Sequence, residues 1–176
     1  KKSPIYCDNR LTLSFPKVRN LIKDSFAQLV KESFAETDLI VGVATAGIAH
    51  GALLADVLGL PFCYVRSKAK AHGTKSLIEG KLNAGDKVLV VEDLFSTGGS
   101  AIKAIHALKA ENANVLGAVA IFNYGFEKVD KAFAEIDVPF TTLSNFESLL
   151  SKVKREHLLS IISIMDLVAI ARVFII

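Results

Sequence analysis

The run EDLFSTGGS at residues 92–100 brings together the groups that bind a phosphorylated sugar. Gly98 and Gly99 carry no side chain, so the backbone can wrap closely around an anion. Neighbouring hydroxyl side chains add donors, and a helix after the run would point its free N–H groups and partial positive charge at the same place. Glu92 and Asp93 would repel a phosphate, but they can accept hydrogen bonds from sugar hydroxyls or hold the waters of a magnesium ion. The run therefore predicts a site for a sugar phosphate.

Two other nucleotide-binding patterns are absent from the sequence. Neither GxxxxGK[ST] nor GxGxxG occurs, which excludes a Walker A loop and a dinucleotide fingerprint. The structural alternative for residues 92–100 is an acidic helix cap followed by a flexible turn. So many matched features coincide in this run that we favour the sugar-phosphate interpretation.

Two further segments could bind anions. The small-residue turn ATAGI at 44–48 can present backbone N–H groups, although such turns are common without any ligand. The stretch 66–81 carries a local cluster of basic side chains with Glu79 as its one acid. In an extended loop, alternate side chains share one face, so part of this stretch could close over a negatively charged leaving group and exclude water. The alternative for this stretch is a solvated basic loop.

Apolar runs alternate with helical patterns along the chain, which predicts an α/β fold with a mostly parallel five-stranded sheet flanked by helices. The predicted strands are 39–43, 61–66, 87–91, 115–122 and 140–143. The predicted helices are 17–36, 48–58, 99–110, 126–134 and 145–155. Ligands of such sheets bind beyond the carboxyl ends of the strands, where the three candidate segments begin.

The length of 176 residues suits a single domain, and the composition gives no argument for a nucleic-acid binder. The net charge is +3, which is too small to argue for nucleic acid. Cys7 and Cys63 lack metal-like spacing, so we expect reduced thiols in a cytoplasmic protein. The tail from residue 158 to residue 176 is apolar, but Asp166 and Arg172 would be costly in a bilayer. We expect a domain at 1–155 and an apolar tail at 156–176 that packs on the domain or at a subunit contact, without a membrane role.

The chain resembles a known family from Lys2 to about Leu150. VVEDLFSTGGSAIKAI is similar to the phosphoribosyl pyrophosphate signature of type I phosphoribosyltransferases. Other segments resemble orotate phosphoribosyltransferases of the Gram-positive type: KSPIYCDNRLTLSFP, GVATAGIAHGALLADVLGLP, YVRSKAKAHG, VLGAVAIFNY and TTLSNF. The resemblance implies the type I fold with a small hood from the N-terminal segment. It also implies a magnesium-dependent homodimer that exchanges pyrophosphate for orotate in pyrimidine biosynthesis.

Site residues follow from this resemblance by position. The donor, phosphoribosyl pyrophosphate, would bind through the run at 92–100 and through the turn and basic loop: Glu92, Asp93, Leu94, Phe95, Ser96, Thr97, Gly98, Gly99, Ser100, Thr45, Ala46, Gly47, Arg66, Lys70 and His72. Within that set, residues 96–100 would cradle the 5′-phosphate, the two carboxylates would bind the ribose hydroxyls, and the turn would meet the pyrophosphate through its backbone.

The resemblance also implies catalytic and orotate-binding groups. The catalytic set would be Lys70, His72 and Asp93, with the loop that bears the first two reaching into the neighbouring subunit. Orotate would contact Ser96, Tyr6 and Arg10. Magnesium would be carried by the donor with no direct protein ligand, and a water-mediated contact to Asp93 is left open.

The sequence departs from the family pattern at two positions, and two other functions are compatible with the signature. Ala46 and Ser67 stand where enterobacterial relatives carry lysines, and Lys68 could supply part of that charge. A purine phosphoribosyltransferase, or a non-catalytic regulator that senses the donor and binds nucleic acid, could share the signature at 92–100.

Aromatic and histidine side chains outside these segments are expected to be structural. We predict packing or surface roles for three histidines, namely His50, His106 and His157. We predict core positions for three phenylalanines, namely Phe15, Phe26 and Phe34.

Overall fold

The computed structural model describes residues 7–68 and 76–157, with side chains through residue 152. Six strands form one sheet: β1 (Leu39–Val43), β2 (Phe62–Val65), β3 (Ile78–Glu79), β4 (Lys87–Phe95), β5 (Asn114–Asn123) and β6 (Phe140–Asn145). Five α-helices follow a 3-10 helix at Asn9–Ser14: α1 (Pro16–Ser33), α2 (Ala46–Leu58), α3 (Gly99–Ala110), α4 (Glu127–Ala134) and α5 (Phe146–His157). The strand order is β3-β2-β1-β4-β5-β6, and all neighbours are parallel except β2 and β3. The predicted α/β fold is confirmed.

The sheet differs from the prediction in two places. The two-residue β3 adds a sixth, antiparallel strand that is too short to show a sequence period. The predicted end of the third strand at Val91 is wrong, because β4 runs on to Phe95 alongside the long β5. The pairing continues to Phe95 opposite Asn123. Glu92 and Asp93 therefore lie within strand β4 rather than in a loop.

Helices cover the sheet on both faces and enclose two apolar layers. One layer joins α1 and α2 to the sheet and contains the fully buried Phe26. The other joins α3 and α4 to the opposite face around Phe95 and Phe133. The prediction of a core position is wrong for Phe15, which is 45% exposed. It precedes the proline that begins α1, so its side chain stays at the surface where the helix starts.

Close backbone packing of α2 against the sheet depends on glycine. A Cβ on Gly47 would lie well under 3.0 Å from the carbonyl oxygen of Val91, and one on Gly42 would lie 3.0 Å from the carbonyl oxygen of Gly47. The absence of these side chains lets the first turn of α2 lie directly on the ends of β1 and β4. The turn at 44–47 is thereby brought beside residues 91–93.

Several sequence predictions lie outside the described residues. These are the roles of Tyr6, Lys70 and His72, the side chain of His157 and the apolar tail at 158–176. Within the described part of the chain, no helix combines the length and apolar character needed to cross a membrane. Cys7 and Cys63 are buried free thiols.

Candidate functional site

The run after β4 forms a concave loop that ends at the N-terminus of α3. Gly98 precedes the helix with a φ of 73°, a left-handed conformation that favours glycine. A Cβ there would also lie 3.1 Å from the ring of Phe133. No described side chain caps the start of α3, so its first N–H groups are available to an anion. The predicted cradle is therefore a helix N-terminus with a glycine at the bend.

Hydroxyl groups surround this concavity at the surface. Ser96, Thr97 and Ser100 are exposed, and the concavity is lined by Glu92 and residues 94–101. Exposed hydroxyls next to free backbone N–H groups form a donor-rich surface for phosphate oxygens. The structure brings together residues 96–100, the residues predicted for the cradle.

Phe95 turns away from the cradle into the core. Its ring packs edge-on against Phe133 at a centroid distance of 5.2 Å and against Phe140 at 5.6 Å. The side chain is 1% exposed, so this residue can meet a ligand only through its backbone. Its contribution is to anchor the strand end from which the cradle begins.

The adjacent carboxyl groups of Glu92 and Asp93 lie near the end of β4. Side chains alternate along a strand, so Glu92 shares the face of Val88 and Val90, and Asp93 shares that of Leu89 and Val91. Glu92 is buried and lines the cradle. A side-chain oxygen of Glu92 accepts a hydrogen bond from the Asp93 N–H at 3.0 Å. The Glu92 and Asp93 side chains also share a hydrogen bond, so the two acids form a neighbouring pair at the end of β4.

The pKa of Glu92 is raised from 4.5 to about 8. Burial is the main cause and the hydrogen bond from the Asp93 N–H opposes it, while the negative charge of Asp93 and a hydrogen bond between the two side chains add to it. Glu92 is therefore largely protonated at neutral pH and can donate as well as accept a hydrogen bond. This property was not predictable from its sequence position.

The second predicted turn forms another helix N-terminus beside the first. The peptide bond between Ala44 and Thr45 is cis, and α2 begins at Ala46 without a capping side chain among the described residues. Gly47 contacts the end of β4, as described above. Two uncapped helix starts therefore meet at the carboxyl ends of adjacent parallel strands, an arrangement that suits a ligand with two separated phosphate groups.

Arg66 lies at the same end of the sheet. It donates a hydrogen bond to Glu79 at 3.1 Å, and it lines a cavity of about 520 Å³ together with Ala44 and Ser100. Lys103 of α3 lines the same cavity. The sequence prediction missed Lys103, although its place one turn beyond the cradle could have indicated it. This cavity joins the predicted pyrophosphate-binding arginine to the end of β1 and to the first turn of α3.

The N-terminal segment reaches the site from the other side. The amide of the buried Asn9 donates a hydrogen bond to the backbone carbonyl of Asp93 at 2.8 Å, a contact the sequence prediction missed. Arg10 donates to both carboxylate oxygens of Asp8 at 2.7 and 2.9 Å, which lowers the pKa of Asp8. The segment that carries the predicted base-binding residues is thus tied to the strand that carries the carboxylates.

The chain matches known proteins over most of its length. The model of the phosphoribosyl transferase domain matches residues 13–147. The orotate phosphoribosyltransferase of Staphylococcus haemolyticus is 54% identical over 159 residues, which cover 90% of this chain and 79% of the relative. The chain belongs to the orotate phosphoribosyltransferase family.

Solved structures agree with this membership. The orotate phosphoribosyltransferase from Aeropyrum pernix superposes with a TM-score of 0.79 at 29% identity, covering 89% of this chain and 87% of that one. The adenine phosphoribosyltransferase of Saccharomyces cerevisiae superposes with a TM-score of 0.65 at 25% identity, covering 80% of this chain and 94% of that one. Both orotate and adenine enzymes share the fold, and the orotate enzyme is the closer of these two in shape.

Proposed function

We propose that this orotate phosphoribosyltransferase moves the phosphoribosyl group of phosphoribosyl pyrophosphate onto orotate, giving orotidine 5′-monophosphate and pyrophosphate for pyrimidine biosynthesis. The observation that carries the proposal is the pair of uncapped helix starts at the ends of β1 and β4, joined by Gly47. They suit the two phosphate-bearing ends of one donor. The 54% identity to a named orotate enzyme supports orotate as the acceptor.

The proposal assigns each part of the site to one part of the substrates. Residues 96–100 hold the 5′-phosphate, and Glu92 and Asp93 face the ribose hydroxyls. The turn at 45–47 binds the pyrophosphate, with Arg66, Lys70 and His72 closing over it. Orotate lies near Ser96, with Tyr6 and Arg10 contributing from the N-terminal segment.

The chemistry asks the protein mainly for positioning and electrostatics. Breaking the anomeric bond builds oxocarbenium character on the ribose, as in glycoside hydrolysis. Asp93 and the fixed N–H groups hold the sugar in line with orotate while Lys70 and Arg66 neutralise the leaving group. His72 can pass a hydrogen bond or a proton to the departing pyrophosphate. No residue of the chain needs to form a covalent bond to the sugar.

Magnesium fits the site as a companion of the donor. Glu92 is largely protonated at neutral pH and would be a poor cation ligand, so the carboxylate of Asp93 would be the group that holds the ion through water. When bound, the ion would supply positive charge to the leaving pyrophosphate.

Further parts of the proposal concern assembly and location. We propose a homodimer in which the loop bearing Lys70 and His72 completes the neighbouring site. We also propose a cytoplasmic location, a catalytic domain at 1–155, and packing of the tail at 156–176 on that domain or on the partner subunit.

The decisive experiment follows the ultraviolet absorbance of orotate. The protein is mixed with phosphoribosyl pyrophosphate, magnesium and orotate, and each component is omitted in turn. A loss of absorbance that needs all of them is the expected result. Pyrophosphate release with adenine but not with orotate would replace the proposal with a purine enzyme. Donor binding without turnover of any base, together with a gel shift of DNA or RNA at moderate salt, would indicate a regulator.

Replacement of Lys70 with alanine is expected to lower kcat at least tenfold while the KM for the donor changes less than threefold. The reason is that a loop lysine that meets developing charge acts in the transition state rather than in the ground state, and each tenfold corresponds to about 1.4 kcal/mol. Steady-state kinetics measure both constants. Lys81→Ala, at an exposed lysine beyond β3, is the matched control and should behave as wild type. A loss confined to KM would remove Lys70 from the chemical step.

A further inference from the structure

His50 is a buried histidine with an unused polar atom. Its side chain is 2% exposed, and its Nε2 has no hydrogen-bond partner among the described residues. Buried polar atoms without a partner are rare because each forfeits its hydrogen bonds to water. A leucine of similar size would fill the same space without that penalty. The position therefore calls for an explanation beyond packing.

The location of His50 connects it to the carboxyl end of β4. It lies one turn after Gly47 on α2, and residues three apart on a helix share a face. That face rests on the end of β4, because Gly47 packs against the Val91 carbonyl oxygen and against Cα of Glu92. Side-chain alternation places Asp93 on the face of β4 that α2 covers. His50 and Asp93 thus approach each other from the two packed elements.

The charge of Asp93 is felt at His50. Burial lowers the pKa of His50, and the negative charge of Asp93 partly opposes that effect. The imidazole is therefore neutral and carries one N–H donor. The carboxylate of Asp93 offers only acceptors in its ionised state, so it matches an Nε2–H donor.

The other side of Asp93 is already fixed. The side-chain amide of Asn9 donates a hydrogen bond to the Asp93 backbone carbonyl. The pKa of the buried Cys7 thiol is raised to about 11, mainly by burial and in part by the negative charge of Asp93, so the thiol lies close to that carboxylate. These contacts fix the main chain and enclose the carboxylate, but neither Asn9 nor Cys7 donates a hydrogen bond to the Asp93 side chain among those described. The Glu92 side chain shares one hydrogen bond with the Asp93 side chain, and the Nε2 of His50 on α2 is a further polar atom that has no partner among the described residues.

We propose that His50 is a positioning residue for Asp93, whose Nε2–H orients the carboxylate toward the ribose hydroxyls when the phosphoribosyl donor binds. The inference rests on the proposed function for the role of the ribose. His50 touches no substrate and acts through Asp93. Because the ribose gains positive character only as the bond breaks, a misdirected carboxylate would lower kcat more than it raises either KM.

The test compares His50→Leu with His50→Gln. His50→Leu is expected to lower kcat about tenfold, to leave the KM for orotate within twofold, and to melt at or above the wild-type temperature, because it removes an unsatisfied polar atom. His50→Gln keeps a donor and is expected to recover much of the lost kcat. A merely structural histidine predicts the opposite pattern, with wild-type turnover in His50→Leu. That result, or equal kcat losses in both variants, would overturn the inference.

Nitrogen-15 NMR of the wild-type protein provides a test that does not depend on a variant folding. We expect the His50 Nε2 to carry the proton and its resonance to shift when phosphoribosyl pyrophosphate and magnesium are added. An unprotonated Nε2, or no shift on saturation with the donor, would refute the positioning role. A wild type that shows the shift but never consumes orotate would refute the proposed function and leave the inference about His50 intact.

Discussion

Gly47→Ala is expected to destabilise the protein by about 3 kcal/mol, the upper end of the usual cost of overpacking. The added Cβ would overlap the carbonyl oxygen of Val91, which is backbone and not the end of a flexible side chain. Val91 lies in β4 between the parallel strands β1 and β5, so it cannot move aside without breaking a ladder. The helix must move instead, and the turn that leads into α2 moves with it. We therefore expect turnover to fall along with stability.

Gly99→Ala is the matched control for this change. Its added Cβ would meet only the hydroxyl oxygen of Thr97 at an ordinary 3.6 Å, and alanine favours a helix more than glycine does. Urea unfolding should show a large loss for Gly47→Ala and no loss for Gly99→Ala. For a chain of this size the first variant should melt roughly 6–12 °C below wild type. Equal stability of the two variants would show that α2 can withdraw from the sheet at little cost.

Glu92→Gln is expected to become more stable relative to wild type as the pH rises from 5 to 8. The folded state raises the pKa of Glu92 from 4.5 to about 8, so its contribution to stability is complete below pH 4.5. Between these values the unfolded chain releases the proton while the folded chain keeps it, so the wild type loses stability on the order of a few kcal/mol. Glutamine cannot ionise and avoids this loss. Urea titrations at several pH values measure the difference, with the exposed Glu111→Gln as a control that should show no trend.

The same substitution separates the roles of the two carboxylates. Glutamine resembles the protonated acid that Glu92 is at neutral pH, so Glu92→Gln should retain turnover within about tenfold. Asp93→Asn removes a charge that faces the ribose and should lower kcat by about 100-fold, a cost of the size found when one preorganised electrostatic group is removed. Similar losses in both variants would mean that Glu92 works in its ionised form, and the pH trend in stability would then also be absent.

Much of the site could be predicted because its chemistry follows the chain locally. Gly98 and the hydroxyl residues around it lie within one short run. The strand–turn–helix unit around Gly47, which neighbours it in the sheet, also places a helix start after a strand. The ends of adjacent parallel strands must meet, so the two runs had to come together. The family resemblance then assigned roles that local pattern could not.

Other features could not be predicted because they depend on contacts between distant segments. The different environments of Glu92 and Asp93 arise because β4 extends past Val91 beside β5, and strand length is set by the neighbour. Asn9 meets Asp93 across 84 positions of sequence. The proximity of His50 to Asp93 depends on how α2 packs on the end of β4.

The aromatic anchor beneath the cradle has a consequence for the thermodynamics of ligand binding. Because Phe95 is fixed between Phe133 and Phe140, the backbone that leads into the cradle is ordered before any ligand arrives. When a ligand binds, only a few exposed residues of the cradle then lose conformational freedom, and ordering each of them costs about 1–2 kcal/mol. A ligand phosphate meets N–H groups that already point inward, and most of its interaction energy is retained as affinity.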